Sequence, residues 1–250
     1  MSTPNTPTEP IDPDRLKEII DRNPSRLGIG RSGPRPKTSD LLTFRADHGR
    51  ARDAVWTRVS DDLIEELGLY RIQTAVADKD QYLARPDLGR SLSDETIESL
   101  KTDCINEPQV QVIVSDGLSS TAVETNSKDL LASLNDGLQQ RGIETGTPIF
   151  VEFGRVDVMD AIGEELGAEA CVNLIGERPG LATAESLSAY FVYNPKRGTP
   201  TAKKSVISNI HAGGLPPVEA GAQVAELLTE MLEKRASGLD LREDDRSFQK

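Results

Sequence analysis

The chain has 250 residues, 36% of them apolar and 28% charged, enough for one large domain or for a domain with a helical extension. Its formal net charge of -12 repels a phosphate backbone, and aromatic residues at 4% are too few for base-stacking platforms, which argues against nucleic acid as a partner. Two cysteines outside any CxxC pair and two histidines outside any HExxH spacing argue against a disulfide scaffold or a structural zinc site.

Residues 1–12 are polar and proline-rich and read as a disordered leader without an apolar targeting segment. No stretch approaches the ~20 apolar residues of a membrane span, so a soluble, cytoplasmic protein that does not enter a membrane is expected. Residues 13–22 predict a short helix with Leu16, Ile19 and Ile20 on one face. A loop rich in Gly, Pro, Arg and Lys follows. A second helix starts at about Ser39, capped by Thr38 or Ser39, with Leu42, Ala46 and Ala54 on its buried face. Residues 61–68 predict a helix and 70–77 a strand. Residues 78–90 read as a linker punctuated by Pro86 and Gly89, and 93–105 as a helix with Glu95 and Glu98 near its positive end.

From residue 108 the period changes. Short β-branched runs at 110–117, 148–154, 170–177, 189–195 and 203–209 alternate with helical segments at 127–141 and 156–167, and a long helix spans 216–238. This alternation predicts an α/β fold: a Rossmann-like, mainly parallel sheet with helices on both faces, preceded by a mainly helical N-terminal region. The expected organisation is a leader at 1–12, a helical region at 13–107, the Rossmann-like domain at 108–239 and a frayed, charged tail at 240–250.

Ligands of open α/β sheets bind at the carboxyl ends of strands, so the loops there carry the candidate chemistry. Asp116, Ser119 and Ser120 follow the first strand; they present hydrogen-bonding groups or form a capped turn. A nucleophilic serine is the weaker reading, because GxSxG is absent and no histidine lies near in sequence. Gly154 and Arg155 follow the next strand, Arg155 with the reach to meet a phosphate. Glu177 and Arg178 open a Gly-rich loop and either meet a polar ligand or pair with each other; GERPGLA is no dinucleotide fingerprint. His211 sits in a further loop with Gly213 and Gly214. A basic cluster of Arg31, Arg35, Lys37, Arg45, Arg50 and Arg52, echoed by Arg85 and Arg90, reads as a docking patch or a solvated helix face. Cys104 and Cys171 read as buried small apolar residues, and Trp56 as core or interface.

The segments GIGRSGPRPKT, LLTFRADHGRARDAV, YLARPDLGRSLS, VQVIVSDGLSSTAV, GTPIFVEFGRV, IGEELGA, LIGERPGLATAESLSAY, VISNIHAGGLPPVEAGA and MLEKRASG, in this order, resemble the small subunit of ethanolamine ammonia-lyase across roughly residues 13 to 239. The resemblance implies a multi-subunit enzyme that converts ethanolamine to acetaldehyde and ammonia by radical rearrangement. Adenosylcobalamin then lies between this chain and a large TIM-barrel subunit that binds ethanolamine. It implies cobalamin contacts at the valine of the GRV motif, Val156, at the glutamate of GERPG, Glu177, and at the residue before ISNIH, Val206, which is cysteine in some relatives. No catalytic residue and no metal ligand is expected from this chain, which alone is expected to be inactive. The rival expectations are a stand-alone α/β hydrolase or transferase using Ser119 or Asp116, and a purely structural subunit. Relatives with a long N-terminal extension can be directed into bacterial microcompartments; the dozen polar residues before the first helix point instead to the free cytoplasm.

Overall fold

The computed structural model describes residues 12–23 and 27–241. The leader expected at 1–12 and the tail expected at 240–250 lie outside the described residues, apart from Asp12, Asp240 and Leu241. In chain order the structure runs α1 (Pro13–Asp21), the two-stranded hairpin β1 (Arg31–Ser32) and β2 (Arg35–Pro36), α2 (Thr38–Trp56), α3 (Asp61–Glu66), β3 (Tyr70–Gln73), α4 (Lys79–Ala84), a 3-10 turn (Leu88–Arg90) and α5 (Asp94–Asp103). It continues with β4 (Val110–Ser115), α6 (Ser120–Gln140), β5 (Ile149–Glu152), α7 (Val158–Leu166), β6 (Ala170–Gly176), β7 (Leu187–Tyr193), β8 (Ser205–Ile210) and α8 (Pro217–Lys234).

Strands β3 to β8 form one six-stranded sheet in the order β3-β5-β4-β6-β7-β8. The first four are mutually parallel, whereas β7 runs antiparallel to β6, and β8 antiparallel to β7. β4 and β6 are buried along their whole length, and that is why VQVIVS and ACVNLIG read as unbroken runs rather than alternations. Alternate residues serve opposite faces. Val112, Val114, Val172, Leu174 and Phe191 pack with α6 and α8, while Ile113, Ile149, Cys171 and Val192 pack with α7 and the Leu100 of α5. The α6–α8 pair is close because Gly221 faces the Leu130 carbonyl, where a Cβ would stand at 2.5 Å. The α/β reading, with helices on both faces of a mainly parallel sheet, matches this architecture. Among the described residues no helix is long and apolar enough to cross a membrane.

Several local expectations are corrected. β3 lies before residue 108 yet forms one edge of the sheet, so the sheet crosses the expected boundary. It stops at Gln73 rather than 77. The linker expected at 78–90 holds α4, whose cap is the Asp78 side chain accepting from the Gln81 N–H, and the 3-10 turn. α6 begins at Ser120, seven residues ahead of the expected 127, because Ser119 caps it by accepting from the Ala122 N–H. α2 has Lys37 at its N-cap and no side-chain cap, and neither Thr38 nor Ser39 fills that role. Its buried residues are Asp47 and Ala54; Leu42 is 59% exposed and Ala46 is exposed as well. Trp56 is 48% exposed, which excludes its place in the core of this chain but not in an interface. α1 buries none of its residues among the described ones, and α2 adds only Ala54 and Asp47 to the buried interior.

Candidate functional site

The loops after β4, β5 and β6 are knitted together at the carboxyl edge of the sheet. Asp116 is buried, and its Oδ1 accepts from Gly117 N–H at 2.8 Å and from Gly154 N–H at 3.1 Å, tying the β4 loop to the β5 loop. Burial pushes the Asp116 carboxyl up to about 6, opposed by Lys79 and by those backbone donors. Lys79 itself is held below the ordinary lysine range by burial; its Nζ lies 4.8 Å from the centre of the Tyr82 ring. Gly117, at φ 60°, lets the backbone approach β6: a Cβ there would stand 2.2 Å from the Gly176 oxygen, and Leu118 N–H donates to that same oxygen at 2.9 Å. Phe153 is held in the left-handed region at φ 58°, its carbonyl accepting from Thr74 Oγ1 at 3.1 Å. Tyr82 Oη donates to the next carbonyl, that of Gly154, at 2.9 Å.

These contacts deliver the loop residues to the face of the sheet on which α7 packs. Sheet pairing places Asn173, Tyr190 and Val206 side by side on β6, β7 and β8, and Ser115, Ile175 and Ser188 one step nearer the carboxyl edge on the same face. Asn173 is the hub. Its Oδ1 accepts from Ser115 Oγ at 2.9 Å and its Nδ2 donates to the Val156 carbonyl at 3.4 Å. Tyr190 Oη donates to Glu177 Oε1 at 2.9 Å. Burial and the neighbouring Glu177 carboxylate push the Tyr190 phenol up to about 12, so it stays a donor at neutral pH. Ser188 Oγ is buried without a hydrogen-bond partner in the described structure. Past Tyr190, among the described residues, no helix covers this face of β8, and Val206 is 50% exposed.

The three residues singled out in the sequence therefore converge. Val156 and Glu177 are half-buried, and each is joined through one hydrogen bond to the Asn173–Tyr190 pair, beside which Val206 stands. Val206 is the second residue of β8 and lies on the open part of this face rather than at the carboxyl edge. Asn173, Tyr190 and Ser188 were not singled out in the sequence. The available signal was their polarity at every second position within otherwise apolar strands.

Other candidates have internal duties. Ser119 Oγ accepts from Ala122 N–H and donates to the Ala184 carbonyl at 2.6 Å, and Ser120 Oγ donates to the Thr57 carbonyl at 2.9 Å. Both are fully buried, so neither is placed to act as a nucleophile. Arg155 is tucked against the Tyr82 ring at 4.0 Å and donates to the Tyr82 carbonyl at 2.8 Å. Arg178 is exposed and Glu177 is engaged by Tyr190, so the ion pair between them does not form. His211 bonds Asn209 and accepts from the Gly213 N–H at 3.1 Å, shaping its own loop. Arg50 pairs with Asp47, Arg85 with Asp87 and Arg90 with Asp157. Cys104 and Cys171 are buried free thiols, as expected. Among the described residues no group of acids, histidines and cysteines is arranged to hold a metal ion.

Comparison with known proteins gives one family. The family model described as ethanolamine ammonia-lyase light chain (EutC) matches residues 13–242. The chain is 49% identical over 234 residues to the ethanolamine ammonia-lyase small subunit of Listeria monocytogenes serovar 1/2a, covering 94% of this chain and 80% of that protein. It is 50% identical over 233 residues to the small subunit of Clostridium perfringens, covering 93% and 79%. It is 49% identical over 233 residues to that of Clostridioides difficile, covering 93% and 80%. With the family model spanning nearly every described residue and relatives at this identity, the chain belongs to the ethanolamine ammonia-lyase light chain family and is a subunit of a carbon–nitrogen lyase.

Proposed function

We propose that this chain holds adenosylcobalamin against a large catalytic subunit, in an enzyme that converts ethanolamine to acetaldehyde and ammonia, and that Val156, Glu177 and Val206 touch the cofactor. The observation that carries the reading is the convergence of these residues on one sheet face that, among the described residues, no helix covers at Val206. The donor set fits the cofactor. Cobalamin carries amide arms, which need both donors and acceptors. Glu177 has Oε2 without a protein donor among the described residues, Ser188 Oγ is a buried hydroxyl without a partner, and Val206 offers exposed apolar surface.

When bound, adenosylcobalamin supplies the radical by homolysis of its cobalt–carbon bond. This chain's residues bind and orient. Glu177 is fixed by Tyr190 and accepts from an amide arm. Val156 and Val206 give van der Waals surface on either side of the Asn173–Tyr190 pair. Ethanolamine binds in the partner, and this chain contributes no catalytic group. The exposed apolar residues of the N-terminal arm, Leu42, Phe44 and Trp56 among them, support docking on that large subunit. Two buried thiols and the acidic charge fit a cytoplasmic setting.

The test is ethanolamine deamination with adenosylcobalamin by this chain, by the large subunit and by both together. It is paired with cofactor affinity of the assembled enzyme carrying Glu177→Ala. Activity only in the mixture, with affinity weakened by about 1–3 kcal/mol in the variant, is the expected outcome. Unchanged affinity in the variant would leave the chain a purely structural subunit.

A further inference from the structure

Lys204 is a buried lysine that the proposed cofactor contacts do not use. Its side chain is 2% exposed, and its Nζ bonds Asp160 Oδ2 at 2.7 Å and Asp157 Oδ1 at 2.5 Å. Asp160 is 3% exposed on its side chain; Asp157 is 32% exposed and also meets Arg90 Nε at 3.3 Å. An ion triad of this burial carries a desolvation cost that apolar packing would avoid, so what it fixes in space is its more informative property. Asp157 occupies the N-cap position of α7 yet makes no side-chain cap hydrogen bond; its carboxylate turns instead to Lys204 and Arg90. Asp157 directly follows Val156, and Lys204 lies two residues before Val206. The chain between them runs through α7, β6, β7 and the 3-10 turn at Thr201–Lys203. The triad is thus a direct link between the two flanks of the face, spanning from the start of α7 to the start of β8.

We propose that Lys204, Asp157 and Asp160 form a positioning clamp that sets the separation of Val156 and Val206 and thereby the fit of the cofactor. The inference rests on the cofactor reading of that face and adds the residues that hold its flanks in register. The clamp touches no reacting atom; it acts through the two valines.

The experiment uses the assembled enzyme with its large subunit and measures the Kd for adenosylcobalamin by equilibrium dialysis, with the Tm of each complex alongside. Asp157→Ala is the chief variant, since Asp157 makes no helix cap and is the least buried member; Lys204→Met is the second. The Kd is expected to rise about tenfold in Asp157→Ala, as when a supporting residue loosens a site, with little change in Tm. On a Val206→Ala background the same substitution is expected to add almost nothing, because both act on one contact. Wild-type Kd in both clamp variants, with Glu177→Ala weakened, would overturn the clamp and leave the cofactor reading standing. Simple additivity of Asp157→Ala and Val206→Ala would also overturn it, as a general structural effect. Wild-type Kd in Glu177→Ala and Val206→Ala as well would remove the cofactor reading itself.

Discussion

Replacing Tyr190 by Phe removes one oxygen and tests how the glutamate of the site is held. Tyr190 Oη donates to Glu177 Oε1 at 2.9 Å, and no other protein donor among the described residues reaches that carboxylate. A hydrogen bond to a charged group contributes about 1.5–3 kcal/mol, but Glu177 is half-exposed and water replaces part of what is lost. The expected loss is therefore about 1–2 kcal/mol, which for a chain of this size lowers Tm by about 2–8 °C. The phenyl ring keeps its packing against the α7 face, so no cavity term adds to this. Released, the Glu177 side chain samples other rotamers, and affinity of the assembled enzyme for adenosylcobalamin is expected to fall by about threefold to tenfold. Thermal unfolding followed by circular dichroism and equilibrium dialysis of the complex read the two effects separately. Wild-type values in both would refute the assignment of Tyr190 as the residue that orients Glu177.

Ser119→Ala removes the cap of α6 and the bond to the Ala184 carbonyl, so stability is expected to fall by about 1–3 kcal/mol while kcat of the assembled enzyme holds; a nucleophilic role would instead abolish turnover. Asp116 gives a pH dependence of known sign. Its carboxyl is raised from 3.8 to about 6 in the fold, so the native state holds the proton more tightly than the unfolded chain. This contribution to stability is full below the unfolded value and is lost as pH rises toward and through about 6, to a total of about 3 kcal/mol. Denaturant titrations of wild type and Asp116→Asn between about pH 4 and 7 should differ by that slope, and parallel curves would show that Asp116 does not titrate in this window.

Much of the fold was legible because β4 and β6 are covered on both faces and write that burial as continuous apolar runs. The beginning of α6 was hidden for a physical reason. Its first two turns contain Ser120, Thr121, Asn126 and Ser127, which read as a loop, yet Asn126 and Ser127 are buried and bond carbonyls one turn back. α4 was hidden by Pro86 and Gly89 just beyond its end. The exposure of Leu42 and Trp56 could not be read from the pattern, since periodicity marks an apolar face without naming the surface it meets. At the site, Glu177 was legible through its loop motif and its resemblance to a known family. Tyr190 and Asn173 were not, because a polar residue within a strand declares its role only when sheet register sets it beside its neighbours.

The connections from β6 to β7 and from β7 to β8 are direct antiparallel returns, not helical crossovers. In an all-parallel sheet each added strand brings a helix that lies over one face. Here the last two strands bring only α8, which packs on the opposite side with Phe191 and Ile210. Among the described residues, the route of the chain thus leaves Val206, beside the partly buried Tyr190, half exposed on this face. A ligand held there as proposed would meet a surface that no described helix covers, so its loading should track ligand concentration without a slow opening phase.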